Sequence, residues 1–158
     1  IKMPKRFLTE EQLTFAVGGR PLSRGRSNGH GVSGGVREFG QLVKLATKMA
    51  MVEQGWKKTN EAVYAVIVIY LAAHYAERMH YTIAKERLAN DKVFPLKAPN
   101  VDRMAKIVIS ALSGLAIEQP KQVVGLTVVK KFAKEPRVEV LLGKPKSFKE
   151  MSYDLRNA

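Results

Sequence analysis

The chain has 158 residues, 46% of them hydrophobic, which suits one modest core with appendages and excludes a largely disordered polypeptide. Lysine and arginine number 27 against 14 acids, and a net charge of +13 opposes self-association unless a polyanion neutralises it. Without cysteine there is neither a disulfide nor a thiolate metal site, and the longest apolar run, Ala62–Ala73, is far shorter than the ~20 residues of a bilayer span. Nucleic acid is the first polyanion to consider and an anionic membrane surface the second. Ile1–Arg6 leads into a polar stretch rather than an apolar one, so no secretory leader is expected.

The charge is unevenly spread. Residues 1–48 carry +6 and residues 119–158 carry +5, whereas residues 49–118 carry only +2. This divides the chain into a basic arm at 1–48, a nearly neutral body at 49–118 and a basic tail at 119–158.

In chain order, Thr9-Glu10-Glu11-Gln12 reads as a capping box, with Leu8 and Leu13 as its hydrophobic staple. A short helix is predicted from Glu10 to about Val17, stopped by Gly18-Gly19. Gly18–Gly35 holds many glycines, three arginines and no acid, and has little to bury. A helix is then predicted over 34–54. Val36, Phe39, Leu42, Val43, Ala46, Met49 and Ala50 share one broad apolar face, while Arg37, Gln41, Lys44 and Lys48 form a narrow polar stripe opposite. Its bland alternative is a solvated helix face. A third helix, capped by Thr59 or Asn60 and running to about Ala89, is apolar on nearly every side between Ala62 and Ala73. Asn100 is predicted to cap a fourth helix that ends before Pro120. Gln122–Phe132 and Arg137–Leu142 are rich in β-branched residues and suggest a β-hairpin. Helical spacing of Val124, Val128 and Ala133 leaves a helix over 122–134 open. Ser147–Glu150 is a further capping box, for a short terminal helix.

Motifs for chemistry are sparse. Gly29–Gly34 matches G-x-G-x-x-G, but the residues before it, Arg20–Asn28, are no strand, so a dinucleotide site is not expected. Its glycines still allow backbone amides to approach a polymer's phosphates. Glu77-Arg78-Met79-His80 is a single E-x-x-H without the second copy that a di-iron bundle needs, so no metal is expected either. No nucleophile–base–acid set stands out. The expectation is a protein that is not an enzyme and carries no cofactor.

The positive case is electrostatic. Phosphate contacts need Lys, Arg and pliable backbone, and they give affinity without sequence readout. Lys2, Lys5, Arg6, Arg20, Arg24, Arg26, Arg37, Gln41, Lys44 and Lys48 are the candidate nucleic-acid contacts. Aromatics are few and have packing roles, which favours double-stranded DNA over a single strand, with RNA as the other partner considered.

The order of capped helix, Gly/Arg loop, basic-striped helix and apolar helical body resembles the major coat proteins of archaeal filamentous and rod-shaped double-stranded DNA viruses. That resemblance, over residues 7–117, implies a mainly α fold. Its parts would be a helix–loop–helix arm on a small helical bundle, with the C-terminal hairpin as a departure. It also implies a structural coat protein packaging duplex DNA in a helical filament of homo- or hetero-oligomers, located in the virion or otherwise cytoplasmic. On this view the apolar helix makes the subunit interface and Val68 points outward. An RNA-binding subunit of a ribosomal or CRISPR-type ribonucleoprotein is the alternative; a hidden enzyme and a membrane-surface protein are two more. If Arg20, Arg24 and Arg26 contact phosphates, replacing all three with Ala weakens binding to every DNA sequence alike. The slope of log affinity against log salt then flattens by roughly 0.9 per lost contact on B-form DNA; an unchanged slope removes the arm from the interface.

Overall fold

The computed structural model describes residues 8–19, 34–72, 95 and 99–147. In chain order these form strand β1 (Leu8–Gly18), helix α1 (Gly34–Gln54), strand β2 (Val63–Ala72), helix α2 (Val101–Leu112), and strands β3 (Val123–Ala133) and β4 (Arg137–Pro145). A single 3-10 turn, Pro120–Gln122, leads into β3. The strands make one sheet in the order β1-β4-β2-β3. β4 runs antiparallel to both β1 and β2, and β2 pairs with β3 in parallel. The fold is therefore mixed α/β, which corrects the mainly α, bundle-like architecture expected from the sequence.

The largest correction is β2. An all-round apolar segment satisfies a central helix, but it equally satisfies a central strand whose two faces are both covered. Val63, Val66, Ile67, Val68 and Ile69 are β-branched and favour the strand. Ala65, Ile67, Ile69 and Leu71 join the main core, while Val66 and Val68 pack with Leu8 and Leu141 on the opposite face. Val68 is thus buried inside the sheet rather than outward-pointing. The remainder of the expected helix, from Ala73 onward, lies outside the described residues.

The expected helix at Glu10–Val17 is also a strand. Leu13 and Val17 face the core, while Thr14 and Ala16 between them are exposed, a period of two that pairing with β4 selects. Gln12 makes no capping box. Its Nε2 donates to the Thr9 carbonyl at 2.9 Å, where the register with β4 shifts between Leu8 and Gln12. The tail does form two strands, yet they are not a hairpin. β3 and β4 lie on opposite sides of β2, so the short connection at 134–136 passes the end of that strand.

Both helices cover one face of the sheet. α1 buries Phe39, Val43, Thr47 and Ala50, and α2 buries Met104, Ala105, Val108, Ala111 and Leu112. Thr47, fully buried, satisfies its hydroxyl by donating to the Val43 carbonyl at 2.7 Å. α1 ends at Gly55, whose φ of 69° is the left-handed value of a helix-terminating glycine, and the Trp56 amide closes the turn on the Met51 carbonyl at 3.0 Å. The buried Trp56 indole then donates to the Ala116 carbonyl at 3.1 Å, tying the end of α1 to the turn after α2. Asn100 precedes α2 but its side chain makes no capping hydrogen bond, and the helix stops at Leu112.

The rim of the sheet is polar. Lys144 on β4 bridges Glu11 of β1 at 2.9 Å and Glu61 before β2 at 2.8 Å. Hydrogen bonds to Glu61 and Glu11 hold its ammonium above the ordinary lysine value, so the lysine stays charged at neutral pH, and on the alkaline side the clip is lost as pH rises through that raised value. On β4 and β2, Arg137 stacks 3.9 Å from the Tyr70 ring centroid and donates to Glu139 at 2.8 Å.

Gly125 of β3 is required by packing. A Cβ there would run into the Tyr64 ring, whose hydroxyl pairs with Thr127 at 2.9 Å. Gly125→Ala is therefore expected to destabilise the fold by about 1–3 kcal/mol, read as a fall in thermal midpoint. Adding Tyr64→Ala should recover part of that loss. Equal losses in the single and double variants would remove the clash as the cause.

Candidate active site and nucleic-acid interface

The solvent faces of α1 and α2 form one side of the molecule, because both helices lie on the same face of the sheet. Around α1, at about 100° per residue, three stripes separate. One is the buried stripe already described. Arg37, Gln41, Lys44 and Lys48 form a second, and all four are exposed. The third is apolar and also exposed: Leu42, Leu45, Met49 and Val52, the last 85% accessible. The apolar face expected of this helix was therefore too wide, since Leu42 and Met49 fall outside the core.

Of the other candidate contacts, Lys2, Lys5, Arg6, Arg20, Arg24 and Arg26 lie outside the described residues. So do the glycine motif from Gly29 to Ser33 and the Glu77–His80 pair.

α2 contributes residues that sequence reasoning passed over. Asp102, Arg103 and Lys106 are exposed on its first turns. Asp102 and Lys106 are four residues apart and so share a face, and Arg103 flanks them. Neither an ion pair nor a hydrogen bond ties up these three side chains among the described residues. A carboxylate within one helical turn of two cations that are unpaired among the described residues is a grouping that can hold a phosphate and accept a proton beside it. Their signal in the sequence is Asp102-Arg103 followed by Lys106 at the start of a helix, where it is overlaid by the stronger apolar periodicity of Met104, Ala105, Val108, Ala111 and Leu112.

Beside this cluster runs an open groove of ≈ 540 Å³ between α2 and β3, with Lys106, Ile109, Ser110, Pro120, Val124 and Leu126 among its walls. Among the described residues no three Asp, Glu, His or Cys side chains come together as a cage for a metal ion. These residues alone do not fit a multi-carboxylate cation site, and no chemistry through a metal is derived from them.

A small mixed sheet carrying two helices, with a large basic excess, is compatible with a protein that handles nucleic acid and does not match the helical bundle expected of a coat. Comparison with known families specifies the kind. Residues 19–142 match the family described as endodeoxyribonuclease RusA, a span that starts just after β1 and runs through most of β4, and the chain belongs to that family. No curated protein matches the chain. Family membership overturns the coat-protein resemblance, the virion location, the ribonucleoprotein alternative and the expectation that the chain is not an enzyme. The nucleic-acid partner inferred from charge stands, whereas a filament and RNA have no support. No helix among the described residues is long and apolar enough to cross a membrane.

The two exposed stripes of α1 make opposite predictions. Reversing charge with Lys44→Glu and Lys48→Glu is expected to weaken duplex binding by about tenfold or more and to lower its salt dependence. Leu45→Gln with Met49→Gln should leave both unchanged. Equal effects from the two pairs would show that the helix does not present its basic stripe to DNA.

Proposed function

We propose that this chain is an endodeoxyribonuclease that hydrolyses DNA phosphodiesters at the solvent face of α2. The observation that carries this reading is the family match across 19–142, which encloses both helices and the Asp102–Arg103–Lys106 cluster.

In this reading the backbone is gripped by charge. Arg37, Lys44 and Lys48 of α1, together with Arg20, Arg24 and Arg26 of the glycine-rich segment, supply sequence-independent phosphate contacts, and Gln41 adds a neutral hydrogen bond. At the scissile phosphate, Arg103 and Lys106 offset the charge that grows on the non-bridging oxygens as water adds to phosphorus. The Asp102 carboxylate accepts the water's proton as the new P–O bond forms. The bridging P–O bond then breaks and the leaving oxygen takes a proton from solvent. This division of labour accounts for an acid left without an ion pair among the described residues of a strongly basic protein.

The test is cleavage of end-labelled DNA, offered as a linear duplex and as a four-way junction, with and without magnesium. The wild type is expected to nick at least one of the two. Asp102→Asn should cut at least about 10²-fold more slowly while binding the same DNA equally well. Lys106→Ala should lose part of both. Wild-type cleavage with full activity in Asp102→Asn would move the chemistry elsewhere on the chain, and absence of cleavage on every substrate would refute the nuclease reading.

A further inference from the structure

The two edges of the sheet are finished differently. At β1, the outer edge is closed by a side chain: the Gln54 carboxamide accepts from the Thr14 amide at 2.9 Å and donates to the Thr14 carbonyl at 2.6 Å, so it pairs like one residue of a neighbouring strand. Edge strands are usually blunted in some such way, because unpaired N–H and C=O groups recruit other chains. At β3, the opposite edge, no strand or side-chain amide of the described residues closes the backbone in this manner. The strand is 11 residues long. Its lysines, Lys130 and Lys131, protect only the C-terminal half. The N-terminal half leaves Val124 63% and Leu126 42% accessible, with Val129 beyond them at 37%.

We propose that this half of β3 is a docking edge for an extended acidic-aliphatic peptide segment of a partner protein, which adds to the sheet as a further strand. Alternate residues of an edge strand turn their N–H and C=O groups outward, and an added strand satisfies both kinds. DNA does not, since its phosphates accept but cannot donate to a carbonyl. Aliphatic residues at every second position of the incoming segment would cover Val124, Leu126 and Ile109 in the groove beside α2. Among the described residues no acid lines that groove, and Lys106 stands in its wall. Lys121 is exposed just before β3, and neither lysine has an ion-pair partner among the described residues. Acidic flanks on the segment would meet these cations and the chain's net charge of +13. A second copy is a poor occupant for the same reason. Antiparallel self-pairing about Leu126 would bring Lys121 of each copy toward Lys130 and Lys131 of the other.

The experiment titrates the full chain against labelled synthetic peptides of roughly nine residues, a length matched to half an extended edge strand plus charged flanks. One has alternating Val and Thr with two Asp at each end; a second has Lys in place of Asp. The acidic peptide is expected to bind at least about tenfold more tightly than the basic one. Val124→Glu with Leu126→Glu, both at accessible positions, should remove that preference without changing the thermal midpoint or duplex binding. Should the variant fail to fold, Lys121→Glu serves instead and should weaken only the acidic peptide. Equal affinity for both peptides, no binding of either, or full binding by the variants would overturn the proposal. So would light scattering showing a wild-type dimer that the edge variants abolish, since a second copy would then be the occupant. Loss of duplex binding in the edge variants would reassign the edge to DNA and overturn it as well.

Discussion

Everything in this fold depends on β4 lying between β1 and β2. It is the last described strand of the chain, yet it supplies hydrogen bonds on both its sides, and without it β1 would be severed from the β2–β3 pair. Its residues are correspondingly buried on both faces: Val138, Val140 and Leu142 toward the helices, and Leu141 toward Val66 and Val68. Such an insertion joins residues near the start of the chain to residues near residue 140, so much of the sheet rests on contacts of large sequence separation. Folds of that kind pay loop-closure entropy before the pairing rewards it. Lys144, at the end of β4, clips Glu11 and Glu61 together across the same junction.

The same constraint explains where chemistry can lie. With β4 in place, one face of the sheet is a single apolar surface, and α1 and α2 both pack on it. Their remaining faces then form a shared exterior that carries Arg37, Gln41, Lys44 and Lys48 on one helix and Asp102, Arg103 and Lys106 on the other. No acidic side chain interrupts the polar stripe of α1, while Asp102 on α2 lies within one turn of Arg103 and Lys106 and makes no ion pair among the described residues. In the proposed reading, the first set grips the polyanion and the second acts on one of its phosphates.

The edges show a second economy. α1 both covers the core and, through Gln54 at its C-terminus, seals β1. α2 lies nearest β3 but does not close it, leaving a groove instead. One edge is therefore protected from stray strand pairing by a specific side chain, and the other is protected over only part of its length by lysines.

Much was legible in the sequence alone, and its failures have a common cause. The +13 charge determined a polyanionic partner, because a Coulombic excess does not depend on how the chain folds. The 34–54 helix was readable, since 3.6-residue periodicity and the stop at Gly55 are local signals. The β-branched stretches after residue 122 also read as strands, though not their partners. Tertiary structure decided the rest. Thr9–Gln12 satisfies a capping box in isolation, and it is pairing with β4 that draws Leu13 and Val17 into a strand. Residues 62–73 are apolar all round whether they form a buried helix or a doubly covered strand, and only the arrival of β3 and β4 on either side selects between them. Local propensity cannot contain that choice, because the hydrogen bonds of a strand belong to residues far away in sequence, whereas those of a helix lie within a single turn.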